Sequence, residues 1–284
     1  MATAQSSFEG KLALITGGSS GIGLELAKQL ASDGARVWIL ARRKAPLKTA
    51  LAGLASVNGN KPGMLAADVA DWKQVHATLE RFQKEMGVPD LLINSAGMVE
   101  PGMIDEIPVE TYRQTMEINY LGTVHVTKAV LPGMLKRGSG DIVNISSAGG
   151  FATGPGYGAY SPSKFAVRGF SDVLRAEAKP HGVRIFLVYP PNTKTPQRAY
   201  EVSRQSPEIH YIDEHAGIGP ILLGTLAPQR VARDILRGVR RGGYVILPGT
   251  GNRVLYHLVH LLGDMIYSIV DDEWATARRK TNRG

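Results

Sequence analysis

Leu12-Ala-Leu-Ile-Thr16-Gly17-Gly18-Ser19-Ser20-Gly21-Ile22-Gly23-Leu24 is the stretch on which the fold turns. Leu12 to Thr16 is a short apolar run of strand type, and Leu24 to Ala31 continues as a helix. Glycines between them let the backbone turn sharply and leave room for close approach of a ligand. The helix N-terminus then offers free N–H groups to an anion such as a pyrophosphate. Gly17, Ser19, Ser20, Gly21, Ile22 and Gly23 are therefore candidate dinucleotide-binding residues. A glycine pattern alone also fits a packing turn; the strand–turn–helix context is what gives it weight.

Working outward, further apolar runs follow at Arg36 to Leu40, Met64 to Ala67, Leu91 to Asn94, Asp141 to Ile145 and Arg184 to Val188, and Tyr244 to Leu247 could add a last strand. Helical patterns separate them, including Lys73 to Met86, Val109 to Lys136 and Phe165 to Lys179. Strands alternating with helices predict an α/β protein, a Rossmann-type doubly wound parallel sheet with helices on both faces. No repeat or linker divides the chain, so residues 1–284 read as one domain. The Pro- and Gly-rich stretch at about 190–227 is expected to be an insertion over the substrate.

The composition fits this class. Hydrophobic residues make up 43% and charged residues 20% of the chain, enough for a large core. The absence of cysteine excludes disulfides, thiolate metal ligands and a cysteine nucleophile, and fits a reducing, cytoplasmic setting. The formal charge of +8 suits anionic partners or a solvated surface. Its basic residues are mostly scattered, and no zinc-finger spacing or aromatic RNA-binding box appears, so nucleic acid is not an expected partner. The polar N-terminus lacks a signal-peptide core, and no run is long and clean enough to span a membrane.

The second strand ends in Leu40-Ala41-Arg42-Arg43. An acid here would bind ribose hydroxyls; Arg42 and Arg43 suit a 2′-phosphate instead, and so favour NADPH/NADP+. They also fit a plain solvated surface. Asp68 and Val69, after the third strand, could contact the adenine. Asn94 ends the fourth strand, followed by Ser95-Ala96-Gly97, whose small side chains leave room for a cofactor.

Tyr160 and Lys164 lie one helical turn apart and share a face. A phenol normally titrates at about 10, and a neighbouring ammonium favours the phenolate, which eases proton transfer to a developing alkoxide. Ser147 precedes Tyr160 by thirteen positions and could hold a substrate carbonyl. Asn119, in the preceding long helix, could position a water beside the lysine. Any one of these is commonplace; together, in this order, they are specific.

These motifs resemble the short-chain dehydrogenase/reductase family over roughly residues 10–200. The resemblance implies a seven-stranded sheet and an oligomer, a homodimer or homotetramer. It implies hydride transfer to a carbonyl, with Tyr160 as proton donor. Lys164 would bind the nicotinamide ribose and lower the tyrosine pKa, Ser147 would orient the substrate, and Asn119 would support a proton relay. More closely, the Thr16–Gly23 turn, Ile118-Asn-Tyr-Leu-Gly122, Ala159-Tyr-Ser-Pro-Ser-Lys-Phe-Ala166 and Tyr189-Pro-Pro-Asn-Thr-Lys-Thr-Pro196 are similar to the 3-ketodihydrosphingosine (3-ketosphinganine) reductases. That likeness implies NADPH-dependent reduction of the 3-keto group of a long-chain sphingoid ketone, with Thr193 and Thr195 near the nicotinamide carboxamide. The alternative is a short-chain reductase of another carbonyl: a ketoacyl thioester, a steroid or a small ketone. Two departures stand out: Lys194 replaces the acidic residue usual between the threonines, and no N-terminal apolar segment is present.

Arg253 to Val270 is apolar around most of a helix, and a helix is expected at about 252–270. Such a helix could pack on the core or a partner subunit, or lie peripherally in a membrane interface; Asp264 makes it a poor span. His257 and His260 lack companion ligands, and no metal site is expected.

Overall fold

Every side chain of β1 (Leu12–Thr16) is buried, because successive residues point to opposite faces of a sheet covered on both sides. The computed structural model describes residues 8–56, 59–215 and 224–281. In it β1 joins β2 (Arg36–Ala41), β3 (Gly63–Ala66), β4 (Leu91–Asn94), β5 (Gly140–Ile145), β6 (Val183–Val188) and β7 (Val245–Ile246). They form a seven-stranded sheet in the order β3-β2-β1-β4-β5-β6-β7, and every neighbouring pair is parallel.

The alternation within the strands builds two cores. Ala13, Ile15, Val37, Ile39, Ile93 and Val143 face one layer, where α1 (Gly21–Ser32) packs against a late helix, α9 (Pro228–Arg241). Leu12, Leu14, Leu40, Leu92 and Ile142 face the other, beneath α3 (Trp72–Met86), α5 (Gly122–Arg137) and α6 (Tyr160–Ala178). The short helix α2 (Lys44–Ala52) leads from β2 towards β3. Asp71 starts α3 by accepting a bond from the Gln74 N–H.

A buried polar chain crosses the sheet. The Asn94 amide donates to Thr127 Oγ1 at 3.0 Å and to Asn144 Oδ1 at 2.9 Å, and the Asn144 amide donates to Ser171 Oγ at 2.9 Å. These bonds pin the ends of β4 and β5 to α5 and α6. The strand order reverses between β1 and β4, and in such sheets ligands bind outside the carboxyl ends of the strands at that reversal.

Several expected boundaries move. The strand expected at Met64 to Ala67 begins one residue earlier and ends at Ala66, and Tyr244 to Leu247 shrinks to two residues. The single helix expected over Val109 to Lys136 is α4 (Val109–Thr115), a π-helical segment at Met116–Leu121 and then α5. The helix expected from Phe165 starts at Tyr160. The stretch at 190–227 contains α7 (Pro196–Val202) and α8 (Pro207–His215); its residues 216–223 lie outside those described.

The apolar helix expected at 252–270 is two helices, α10 (Thr250–Leu262) and α11 (Met265–Thr281). Gly263, at φ +52°, breaks it with a backbone that L side chains disfavour. One side of the pair packs inward: Leu255 joins a core with Phe151 and Tyr189, and α11 packs on α8. The other side exposes Leu261 (83%), Met265, Tyr267 and Val254. Among the described residues, no helix is long and apolar enough to cross a membrane.

Candidate active site

A cleft of about 830 Å³ lies at the carboxyl ends of β1, β2, β4 and β5 and runs beneath α7 and α8. Its cofactor end is the turn between β1 and α1. Gly17 has φ +66°, and a Cβ there would stand 2.8 Å from the Ala96 nitrogen. Thr16 Oγ1 accepts from the N–H groups of Ser95 and Ala96 at 3.0 and 3.1 Å, which holds the loop after β4 against this turn. Ser20 begins α1 without a side-chain cap, so no side chain occupies the first N–H groups of that helix. This cradle, closed by backbone and open to an anion, fits a dinucleotide pyrophosphate.

Gly17, Ser19, Ser20, Gly21, Ile22 and Gly23 all line the cleft. So do Arg42, Arg43, Asp68 and Val69, and so do Thr193 and Thr195. Arg42 lies 3.5 Å from Asp68, an exposed pair of little strength. Thr195 caps α7 by accepting from the Arg198 N–H, and Thr193 donates to the Pro191 carbonyl at 2.7 Å. Asn94 is different. Its side chain is committed to the buried chain through Asn144 and does not line the cleft, so its place in the cofactor set is corrected to that of a sheet pin. Its neighbours Ser95, Ala96 and Gly97 take the lining position.

The catalytic end is built from β5 and α6. Ser147 follows β5 and caps a short 3₁₀ turn, accepting from the Gly149 N–H at 3.1 Å. Behind it, Ser146 donates to the Lys164 carbonyl at 3.0 Å and ties the strand end to α6. Tyr160 opens α6, and Lys164 sits one turn on with its ammonium 5.7 Å from the phenol ring centre. Lys164 is 5% exposed and donates to the Ile145 carbonyl at 3.1 Å.

Burial pushes the Lys164 ammonium down to about 8. It pushes the Tyr160 phenol up to about 12, against the opposing hydrogen bond with Ser147. The lowering of the phenol expected from Lys164 is absent in the protein alone; loss of solvent sets the direction, and the Glu201 carboxylate adds to it. The phenol stays protonated, which is the form a proton donor needs.

Asn119 lies in the π-helical segment and is fully buried. Its amide donates to the Met98 carbonyl and to Ser163 Oγ, each at 2.9 Å, and its carbonyl accepts from the Met98 N–H at 2.8 Å. A Cβ on Gly97 would lie 3.1 Å from Asn119 Oδ1 and 3.5 Å from Lys164 Nζ, so a glycine lets the three segments meet. The side chain expected to hold a water is fully engaged by protein. Asn119 is a positioning residue for the wall behind Lys164.

The sequence reading leaves out a charged group on the cleft's far wall. Arg198 donates to Glu201 at 2.5 Å and to Asp213 at 2.6 Å. The Tyr157 hydroxyl donates to the same Glu201 oxygen at 2.6 Å, and the Tyr157 ring centre is 6.4 Å from that of Tyr160. The spacing of Arg198 and Glu201 on one helix was the available signal, but surface pairs show it equally often.

A family model described as short chain dehydrogenase matches residues 11–206. The chain belongs to the short chain dehydrogenase family. It is 34% identical over 235 residues to 3-dehydrosphinganine reductase of Danio rerio, covering 81% of this chain and 69% of that one. It is 33% identical over 255 residues to 3-ketodihydrosphingosine reductase of Dictyostelium discoideum, covering 84% of this chain and 74% of the other. Among solved structures it resembles L-sorbose reductase from Gluconobacter frateurii, complexed with NADPH and L-sorbose. That match has a TM-score of 0.73 and 26% identity, and spans 87% of this chain and 98% of the other. As a short chain dehydrogenase the protein is an oxidoreductase, with the Rossmann-like sheet of that family.

Proposed function

We propose that the protein reduces the 3-keto group of 3-ketosphinganine to the secondary alcohol of sphinganine with NADPH. The reaction class rests on one observation: Ser147, a protonated Tyr160 and Lys164 converge at the end of β5 beside a cradle for a dinucleotide. The substrate rests on the likeness, over four-fifths of the chain, to reductases of that name.

A bound reduced dinucleotide supplies the hydride that becomes the carbinol C–H. The Ser147 hydroxyl donates to the carbonyl oxygen and orients it. Tyr160 Oη gives its proton to that oxygen as negative charge develops there. With that hydride on carbon and the Tyr160 proton on oxygen, the carbonyl becomes the secondary alcohol. Lys164 holds positive charge next to the phenol and favours the phenolate left behind, which solvent then reprotonates. Arg42 and Arg43 would meet the 2′-phosphate, and Thr193 and Thr195 the nicotinamide end. Beyond Tyr160, Ile209, Ile212 and Leu255 line the cleft and give an alkyl tail apolar contact.

The test is consumption of NADPH and of NADH with 3-ketosphinganine, beside acetoacetyl thioester and small-ketone controls. Turnover of the long-chain ketone with NADPH preferred is the expected result. Turnover of the controls alone would overturn the substrate and leave the reductase chemistry in place.

A further inference from the structure

Helix α7 lies over the cleft with none of its side chains fully buried, so apolar packing does little to set its place. Polar tethers hold it instead. Arg198 reaches Asp213, which joins α7 to α8. On the solvent side, Glu100, in the loop after β4, accepts from Tyr200 Oη at 2.6 Å and from Arg204 at 3.1 Å. Both of those donors are exposed, where water weakens such bonds.

The tether on the cleft side is of another kind. The Tyr157 hydroxyl donates to Glu201 Oε1 at 2.6 Å and accepts from the Gln205 amide at 2.9 Å, so it grips α7 and the residues just after it. The Glu201 side chain is only 13% exposed. A bond to a carboxylate sheltered from water is stronger than its exposed counterpart. Burial raises the Tyr157 phenol above its ordinary range, which keeps it protonated and a donor.

Tyr157 is itself fixed at the reacting end of the cleft. Its carbonyl accepts from the Ser161 N–H at 2.9 Å, at the start of α6, and its ring neighbours that of Tyr160. The Gly102 N–H donates to the Gly156 carbonyl at 2.9 Å and holds this segment to the loop after β4. Helix α8 meets the same segment. Gly156 has φ +82°, and a Cβ there would collide with the Ile209 side chain of α8. Both covering helices therefore touch the chain just before the proton donor.

We propose that Tyr157 is a positioning residue, whose hydroxyl holds α7 down over the cleft so that the ketone binds against a closed cover beside Tyr160. This role rests on the reductase reading above and adds to it a residue outside the Ser147, Tyr160 and Lys164 set. Breaking the tether leaves those three groups in place and lowers the fraction of closed molecules. A ligand that binds only the closed form loses affinity by that fraction, so the loss falls on KM rather than on kcat.

The experiment is Tyr157→Phe in the full-length protein, which keeps the ring and removes the hydroxyl. With 3-ketosphinganine and NADPH, KM for the ketone is expected to rise about 10- to 100-fold while kcat stays within about threefold. Amide hydrogen exchange without ligands should become at least about tenfold faster across residues 196–205 and stay unchanged in β5. Glu201→Gln keeps a neutral acceptor; it should raise KM by less, and add less to Tyr157→Phe than it does alone. If Tyr157 only fills space, KM and the exchange of α7 stay at wild-type values, and the proposal is overturned. A fall in kcat with KM unmoved overturns it too. Should the wild type ignore 3-ketosphinganine, the substrate reading fails. The same KM comparison then passes to the control ketone that it does reduce, and unchanged exchange at α7 still overturns the tether.

Discussion

Replacing Lys164 with methionine removes a buried ammonium and keeps most of the volume of its stem. In the folded protein that ammonium titrates at about 8, against an ordinary value of 10.5. Between these values the unfolded chain binds more protons than the folded one, so wild-type stability rises with pH across that window. At neutral pH the buried charge costs about 3 kcal/mol. The variant also loses the bond to the Ile145 carbonyl, worth about 1 kcal/mol. Lys164→Met is therefore expected to be about 2 kcal/mol more stable than wild type at neutral pH, a rise of roughly 4–8 °C in Tm for a chain of this size. By about pH 10 the charge cost drops below about 1 kcal/mol and the advantage disappears. Thermal unfolding of both proteins without cofactor, at both pH values, checks this, while NADPH-dependent turnover of the variant should be nearly abolished. A variant less stable than wild type at neutral pH, or a gap that does not close on raising the pH, would refute the claim that burial dominates at Lys164.

Tyr160→Phe removes the proton donor, and kcat should fall by about 10²–10⁴ while NADPH affinity, read from nicotinamide fluorescence, is retained. Arg42→Ala combined with Arg43→Ala should raise KM for NADPH about 10- to 100-fold and leave KM for NADH within about threefold, as expected if the two arginines meet a 2′-phosphate. Gly17→Val places a branched side chain at φ +66°, with its Cβ 2.8 Å from the Ala96 nitrogen; direct titration should show cofactor affinity weakened by at least about tenfold.

The strands were legible because a parallel sheet buries both faces, so β1, β4 and β6 read as nearly unbroken apolar runs. That Ser147, Tyr160 and Lys164 come together was legible because it follows from spacing along one strand end and one helix turn. Asn94 misled for a physical reason. A polar residue ending a strand looks the same whether it faces a ligand or, as here, bonds to Asn144 in the next strand. The break at Gly263 was hidden because apolar residues continue on both sides of it. The π-helical segment around Asn119 leaves no mark in a hydrophobic pattern, and such segments are frequent at functional sites. The cluster around Arg198 and Glu201 was hidden because its other members lie apart in the chain: Tyr157 comes long before them, and Asp213 joins only when α8 folds against α7.

The cover of the cleft is held less by the sheet than by the chain's own late helices. Helix α8 packs on α11, and Thr281 donates to Glu208 at 3.2 Å across that contact. Reactivity and fit therefore reside on different parts of the chain. One is fixed by β5 and by α6, which packs on the sheet and cannot shift without breaking the core. The other sits on α7 and on α8 and α11, the last two anchored mainly to each other. A lineage could exchange one ketone for another by rewriting α7, α8 and α11 while the proton donor and cofactor cradle stay as they are. In the laboratory, that makes these three helices the ground on which to change what the enzyme accepts.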